Sequence, residues 1–226
     1  MTTAWKGGEE SAGIVPVRPV PAPNLLRGRA LARAWFWTVT AAEFMGFAVP
    51  ACVGALTTDA HPAVVLPSLV AAGAVEGTML GLGQAAVLGR ALPGLRRRRW
   101  VAATACAAAI AYLIGLLPST FAAVWSGWPP AVLVVVALVL GAALLASIGT
   151  AQWLILRHLV DRAGRWIVAT AIAWTAGLAV FLGFVMPLWQ PGEPMALVVA
   201  IGVAGGLLMA AVTSAITGHA LRRMIA

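Results

Sequence analysis

Apolar residues fill six long stretches of this chain, near residues 34–56, 63–89, 100–124, 130–156, 166–187 and 195–220. At about 1.5 Å of rise per residue, each is long enough to cross a hydrocarbon core of about 30 Å as a helix. A segment surrounded by lipid must satisfy its own backbone hydrogen bonds, which leaves the helix as the fitting element. The pattern therefore predicts an all-α, polytopic membrane protein with six transmembrane helices over residues 34–226. Residues 1–33 read as a separate tail. Its first part is rich in Gly, Pro and Glu and ends in Val15-Pro16-Val17-Arg18-Pro19-Val20-Pro21-Ala22-Pro23, a disordered, polyproline-like composition. It has no apolar run of the kind a secretory signal needs. Asn24 is the expected cap of a short basic segment, Leu25 to Arg33, at the membrane surface.

Composition agrees with this reading. The chain of 226 residues is 62% hydrophobic and 10% charged, whereas soluble domains carry about 25% charged residues. The net charge of +8 would suggest nucleic acid in a soluble protein, but its placement argues against that. The links Thr57–Pro62, Trp125–Pro129 and Leu188–Pro194 contain no Lys or Arg. Basic residues fall instead in the tail, at Arg27, Arg29 and Arg33, in the links at Arg90, Arg96–Arg99, Arg157, Arg162 and Arg165, and at Arg222 and Arg223. This is a positive-inside distribution, so both termini are expected in the cytoplasm. The composition, with Lys6 the only lysine, suggests a bacterial chain and hence the cytoplasmic (inner) membrane. Trp125, Trp128 and Trp189 then read as an outer aromatic belt, and Trp35, Trp37, Trp100, Trp153 and Trp166 as an inner one.

The chain also repeats itself. Span two ends in Gly81-Leu82-Gly83-Gln84-Ala85-Ala86-Val87-Leu88, and span four in Gly149-Thr150-Ala151-Gln152-Trp153-Leu154-Ile155-Leu156. A Trp-led segment follows each, Trp100-Val101-Ala102-Ala103-Thr104-Ala105 and Trp166-Ile167-Val168-Ala169-Thr170-Ala171. Span six ends in a degenerate copy, Ser214 to Arg222, with Thr217 where the others have Gln. Spans one and five share Gly46-Phe47-Ala48-Val49-Pro50 and Gly183-Phe184-Val185-Met186-Pro187. Three helical hairpins in one orientation, related by an axis along the membrane normal, are the expected arrangement. Over residues 76 to 222 the chain resembles an uncharacterised group of bacterial polytopic membrane proteins with a repeated G-x-x-Q-W-L-x-L-R motif. Gln152 to Arg157 fits that motif best. The resemblance implies a fold and no activity.

Few polar residues lie within spans. Glu43 and Glu76 are the acidic ones, and a charge deep in lipid costs at least about 2.5–3.5 kcal/mol on insertion scales. Each is read either as a hydrogen-bonded helix contact or as part of a proton or cation path. Gln84 and Gln152 suit interhelical hydrogen bonds, worth about 0.6–2 kcal/mol in lipid, with ligand contact as the alternative. Small residues recur at spacings of four. Span two has Gly73, Gly77 and Gly81, and span six has Gly202, Gly206, Ser214 and Gly218. Each set marks one helix face for close packing, within the chain or between copies. Arg96, Arg97, Arg98, Arg99, Arg157, His158 and Arg222 are candidates for anionic lipid headgroups.

Metal and cofactor chemistry finds no pattern. Cys52 and Cys106 form no CxxC or Cys/His cluster. His158 and His219 lack a third ligand at metal spacing. His61, Asp59 and Glu193 read as solvated loop residues, and Tyr112 as a core or belt residue. HExxH, GxSxG and Walker patterns do not occur, so an enzyme is the less favoured class. The sequence orders three functions. A structural, assembly or regulatory membrane subunit comes first, with a homo-oligomer or a partner subunit as its implied contact. A small transporter or channel using Glu43 and Glu76 comes second, and a lipid-modifying enzyme third.

Overall fold

The computed structural model describes residues 25–190 and 192–225, and these are helical almost throughout. Six helices are long and apolar enough to cross a membrane: α1 (Gly28–Leu56), α2 (Pro62–Ala91), α3 (Arg97–Thr120), α5 (Pro130–Leu156), α6 (Arg165–Leu188) and α7 (Met195–Met224). A single turn, α4 (Ala122–Trp125), follows α3. The expected tail at 1–23 and the Asn24 cap lie outside the described residues.

Proline sets several boundaries. Pro62 and Pro130 open α2 and α5, where the missing N–H would have no helical partner anyway. His61 Nδ1 accepts from the Ala63 amide at 3.2 Å and caps α2. At the other end of a helix a proline ring opposes continuation. Pro118 and Pro187 each take one N–H out of the last turn, and α3 ends two residues after the first and α6 one residue after the second. This corrects the third span, expected to run unbroken to 124.

The basic segment before the first span is also corrected. Residues 28–33 are the first turns of α1, because Leu31 is buried with Trp35 in the core. The residues just ahead dock on the end of α2. Leu26 N donates to Arg90 O at 3.0 Å, and Arg27 Nη1 donates to Ala91 O at 3.1 Å. A guanidinium there satisfies an orphan carbonyl at the negative end of the helix dipole.

Each long helix packs against the next in the chain, and α7 packs back on α1, so the six close a ring. The core is uneven along it. Leu31, Trp35, Leu88, Trp100, Leu156, Trp166 and Leu221 form one dense cluster towards the end that carries the arginines. Away from that end packing thins. The buried residues of α5 are confined to its last turns, from Ile148 to Leu156, and the first half of the helix lies outside the core.

Glycines bring the backbones together. A Cβ at Gly77 would sit 2.5 Å from Ala108 Cβ and 2.8 Å from Thr104 O, and one at Gly81 3.0 Å from Val101 Cα. Gly73 lies under the Tyr112 ring, Gly206 against Phe47, and Gly218 against Trp35. Gly202 differs from the rest of its stripe, since a Cβ there meets nothing within 4 Å. Its neighbour Gly205 faces α6 instead, with Val185 and Phe181 in contact range.

Candidate functional site

Three of the tryptophans expected in the inner belt are not at the lipid surface. Trp35, Trp100 and Trp166 have no exposed area. Trp166 makes an edge contact with Trp35 at 5.8 Å between ring centroids and lies 6.4 Å from Trp100. A buried indole needs an acceptor for its N–H, and each finds one on the helix beside it. Trp100 Nε1 donates to Gln84 Oε1 at 3.1 Å, Trp166 Nε1 to Gln152 Oε1 at 2.8 Å, and Trp35 Nε1 to Thr217 Oγ1 at 2.9 Å. The two glutamines are joined as well. Gln152 Nε2 donates to Gln84 Oε1 at 2.7 Å and to Thr104 Oγ1 at 2.9 Å. Both amide hydrogens and the carbonyl of Gln152 are thereby used. Of the remaining inner-belt residues, Trp37 is 66% exposed and Trp153 carries Arg157 over its face at 5.3 Å.

Away from this layer all six long helices line a cavity of about 410 Å³. Its wall is apolar and aromatic, with Phe47, Leu80, Tyr112, Trp174, Phe181 and Met209 among its residues. The polar element is a pair. Tyr112 Oη donates to Glu76 Oε2 at 2.6 Å, and both residues line the cavity. Tyr112 was read from the sequence only as core or belt. Its partner is 36 positions away, and no local pattern links them.

Glu43 is fully buried and is not among the residues lining the cavity. Neither of its carboxyl oxygens has a hydrogen-bond partner among the described residues. The Thr213 hydroxyl stands beside it, as does Glu76, but Thr213 Oγ1 donates to Met209 O at 2.9 Å. Thr40, Thr170 and Ser214 also have buried hydroxyls without partners. So both carboxylates are buried in the bundle, but they do not share the cavity: Glu76 lines it and Glu43 does not.

At the basic end Arg96, Arg99 and His158 line one groove of about 300 Å³ together with Gly94, Leu154, Ile155 and Leu159. The other headgroup candidates are dispersed. Arg97 lies across Gly89, Arg157 Nε donates to His158 Nε2 at 3.2 Å, and Arg222 Nη2 stands 3.5 Å from His219 Nδ1. Arg98 is exposed. Among the described residues no three His, Cys, Asp or Glu side chains gather at metal-binding distances, and Cys52 and Cys106 are free and exposed.

No family model, no curated protein and no solved structure matches this chain.

Proposed function

We propose that this protein is a small carrier in the bacterial cytoplasmic membrane, built of three related hairpins with both termini inside, and that its cargo is a lipophilic organic cation. The observation that carries this reading is the cavity shared by all six long helices, with Glu76 and Tyr112 as its polar pair. A volume of about 410 Å³ is in the range of small-molecule sites. Tyr112 occupies Glu76 Oε2 and leaves Oε1 for a ligand. Phe47, Trp174 and Phe181 supply aromatic faces, which attract cations through the ring quadrupole. An acidic group among aromatic and aliphatic walls matches a cargo with a greasy body and one positive charge.

The hairpin relationship finds support in two interfaces. A Cβ at Gly81 would lie 3.0 Å from Val101 Cα and 3.2 Å from Thr104 Cβ. One at Gly149 would lie 3.0 Å from Ile167 Cα and 3.2 Å from Thr170 Cβ. The subunit reading, first on sequence, drew on the small-residue stripes, the short loops and the scarcity of buried polar groups. Gly73, Gly77, Gly81, Gly206 and Gly218 meet partners within the chain, so those stripes do not call for another chain.

Binding of tetraphenylphosphonium to the protein in nanodiscs tests the proposal. Saturable binding that is lost in Glu76→Gln and weakened in Tyr112→Phe supports it. Absence of saturable binding, or equal binding to the Glu76→Gln variant, rejects it.

A further inference from the structure

We infer that Glu43, Thr40, Thr213 and Ser214 form a sodium-ion site between α1 and α7, next to the cargo cavity. The role given to it, coupling cargo movement to an ion, rests on the carrier reading; the site itself does not.

The argument starts from unpaired oxygens. Buried polar atoms in folded proteins are nearly always hydrogen-bonded. Here both carboxyl oxygens of Glu43 and the hydroxyls of Thr40 and Ser214 have no partner among the described residues. Glu43 is wholly buried. Helix register brings the residues that carry them to one interface. Thr40 precedes Glu43 by one turn on the same face of α1. Gly206 packs on Phe44 and Phe47, and Gly218 on Trp35. Ser214 is on the same strip of α7, one turn from Gly218, and so faces α1 between Trp35 and Phe44, the stretch holding Thr40 and Glu43. Thr213, its neighbour, stands beside the Glu43 carboxyl.

The donor set then narrows the ion to a hard monovalent cation, of which sodium is the one tested. It consists of carboxylate and hydroxyl oxygens, hard ligands with no nitrogen or sulfur, which excludes soft transition metals. Charge selects among hard cations. Glu43 is the one carboxylate of this donor set and a monovalent ion neutralises it, whereas a divalent ion would also need Glu76, which is held by Tyr112 and lines the cavity. A proton on Glu43 supplies a single O–H donor, whereas a sodium ion takes a lone pair from several oxygens at once. Glu76 also stands close to Glu43, so an ion there changes the field at the cargo-binding carboxylate.

Binding of radioactive sodium to the purified protein, measured by scintillation proximity, tests the inference. Saturable binding is expected, lost in Glu43→Gln and weakened at least tenfold in the Thr40→Val/Ser214→Ala double variant, which keeps the carboxylate. Monodisperse elution and unchanged helical circular dichroism establish that each variant is folded. No saturable binding to the wild-type protein, or undiminished binding in folded Glu43→Gln or in the double variant, overturns the site. Measuring both ligands on the wild-type protein, with Glu76→Gln for the first and Glu43→Gln for the second, separates the two readings. If tetraphenylphosphonium fails to bind while sodium binding depends on Glu43, the carrier reading falls and the ion site stands. If tetraphenylphosphonium binds through Glu76 and sodium does not bind, the ion site falls alone.

Discussion

Gln152 on α5 donates its side-chain amide to Gln84 on α2 at 2.7 Å, across helices that are not neighbours in the ring. This bond joins the two helices that flank α3, in the layer where the three buried indoles meet. Its removal should therefore be felt globally. Gln152→Leu leaves Trp166 Nε1 without its acceptor and takes a donor from both Gln84 and Thr104. Single side-chain bonds in membranes average about 0.6 kcal/mol, and three lost together should cost about 2 kcal/mol. Reversible unfolding in mixed detergent micelles measures this. Since the two glutamines share a bond, Gln84→Leu/Gln152→Leu should cost less than the sum of the single variants. Strict additivity would show that the bond contributes nothing of its own.

The six helices were legible in the sequence because length and hydropathy are one-dimensional properties. Rotation about a helix axis is not. Trp35, Trp100 and Trp166 sit beside arginines at the ends of apolar runs, which is also the composition of a lipid interface. Composition there does not distinguish an inward indole from an outward one. The recurrence of a Trp-led segment after each Gln was the available clue, but the glutamines read only as interhelical ties and the indoles as belt residues, not as the partners that Trp100 and Trp166 find. Nothing comparable marked Tyr112 as the partner of Glu76, since their meeting depends on how α2 lies against α3. The cavity is still less legible, being defined by where six helices fail to touch.

Two glycines make a paired prediction about the seams. Gly77→Ala forces a methyl to within 2.8 Å of the Thr104 carbonyl oxygen and 2.9 Å of Ala105 Cα, both backbone atoms that yield only if the helix moves. Overpacking of this kind costs about 1–3 kcal/mol. Gly202→Ala meets nothing and removes the entropic penalty of glycine in a helix, about 0.5–1 kcal/mol. The first variant should unfold at lower temperature in detergent and the second at the same or higher temperature. A comparable loss in both would mean that Gly202 faces another copy of the chain.

The groove of Arg96, Arg99 and His158 has two guanidinium groups above the apolar Leu154, Ile155 and Leu159, the order of charge and grease in an anionic phospholipid. Native mass spectrometry should find phosphatidylglycerol retained in preference to phosphatidylcholine. Each arginine near an anionic surface contributes about 1 kcal/mol, so Arg96→Gln/Arg99→Gln should weaken retention roughly 30-fold. Raising the salt concentration should weaken it in the wild type as well, because these groups are exposed. Equal retention of both lipids would dismiss the groove as a headgroup site.

The placement of the arginines predicts an orientation. The links at 92–96 and 157–164 lie at the same end of the bundle, since Gly94 and Leu159 are in contact there, and this end carries the run Arg96–Arg99. Moving such a run across the membrane is strongly disfavoured, whereas the links at 57–61 and 189–194 contain no Lys or Arg to retain them. Cys52 and Cys106 are free and exposed, so single cysteines belong in a Cys52→Ala/Cys106→Ala background. An impermeant maleimide applied to intact cells should label Thr58→Cys and Glu193→Cys. Gly94→Cys and Asp161→Cys should react only after the cells are broken. The reverse pattern would place the arginine end, and with it the Gln–Trp layer, on the outside.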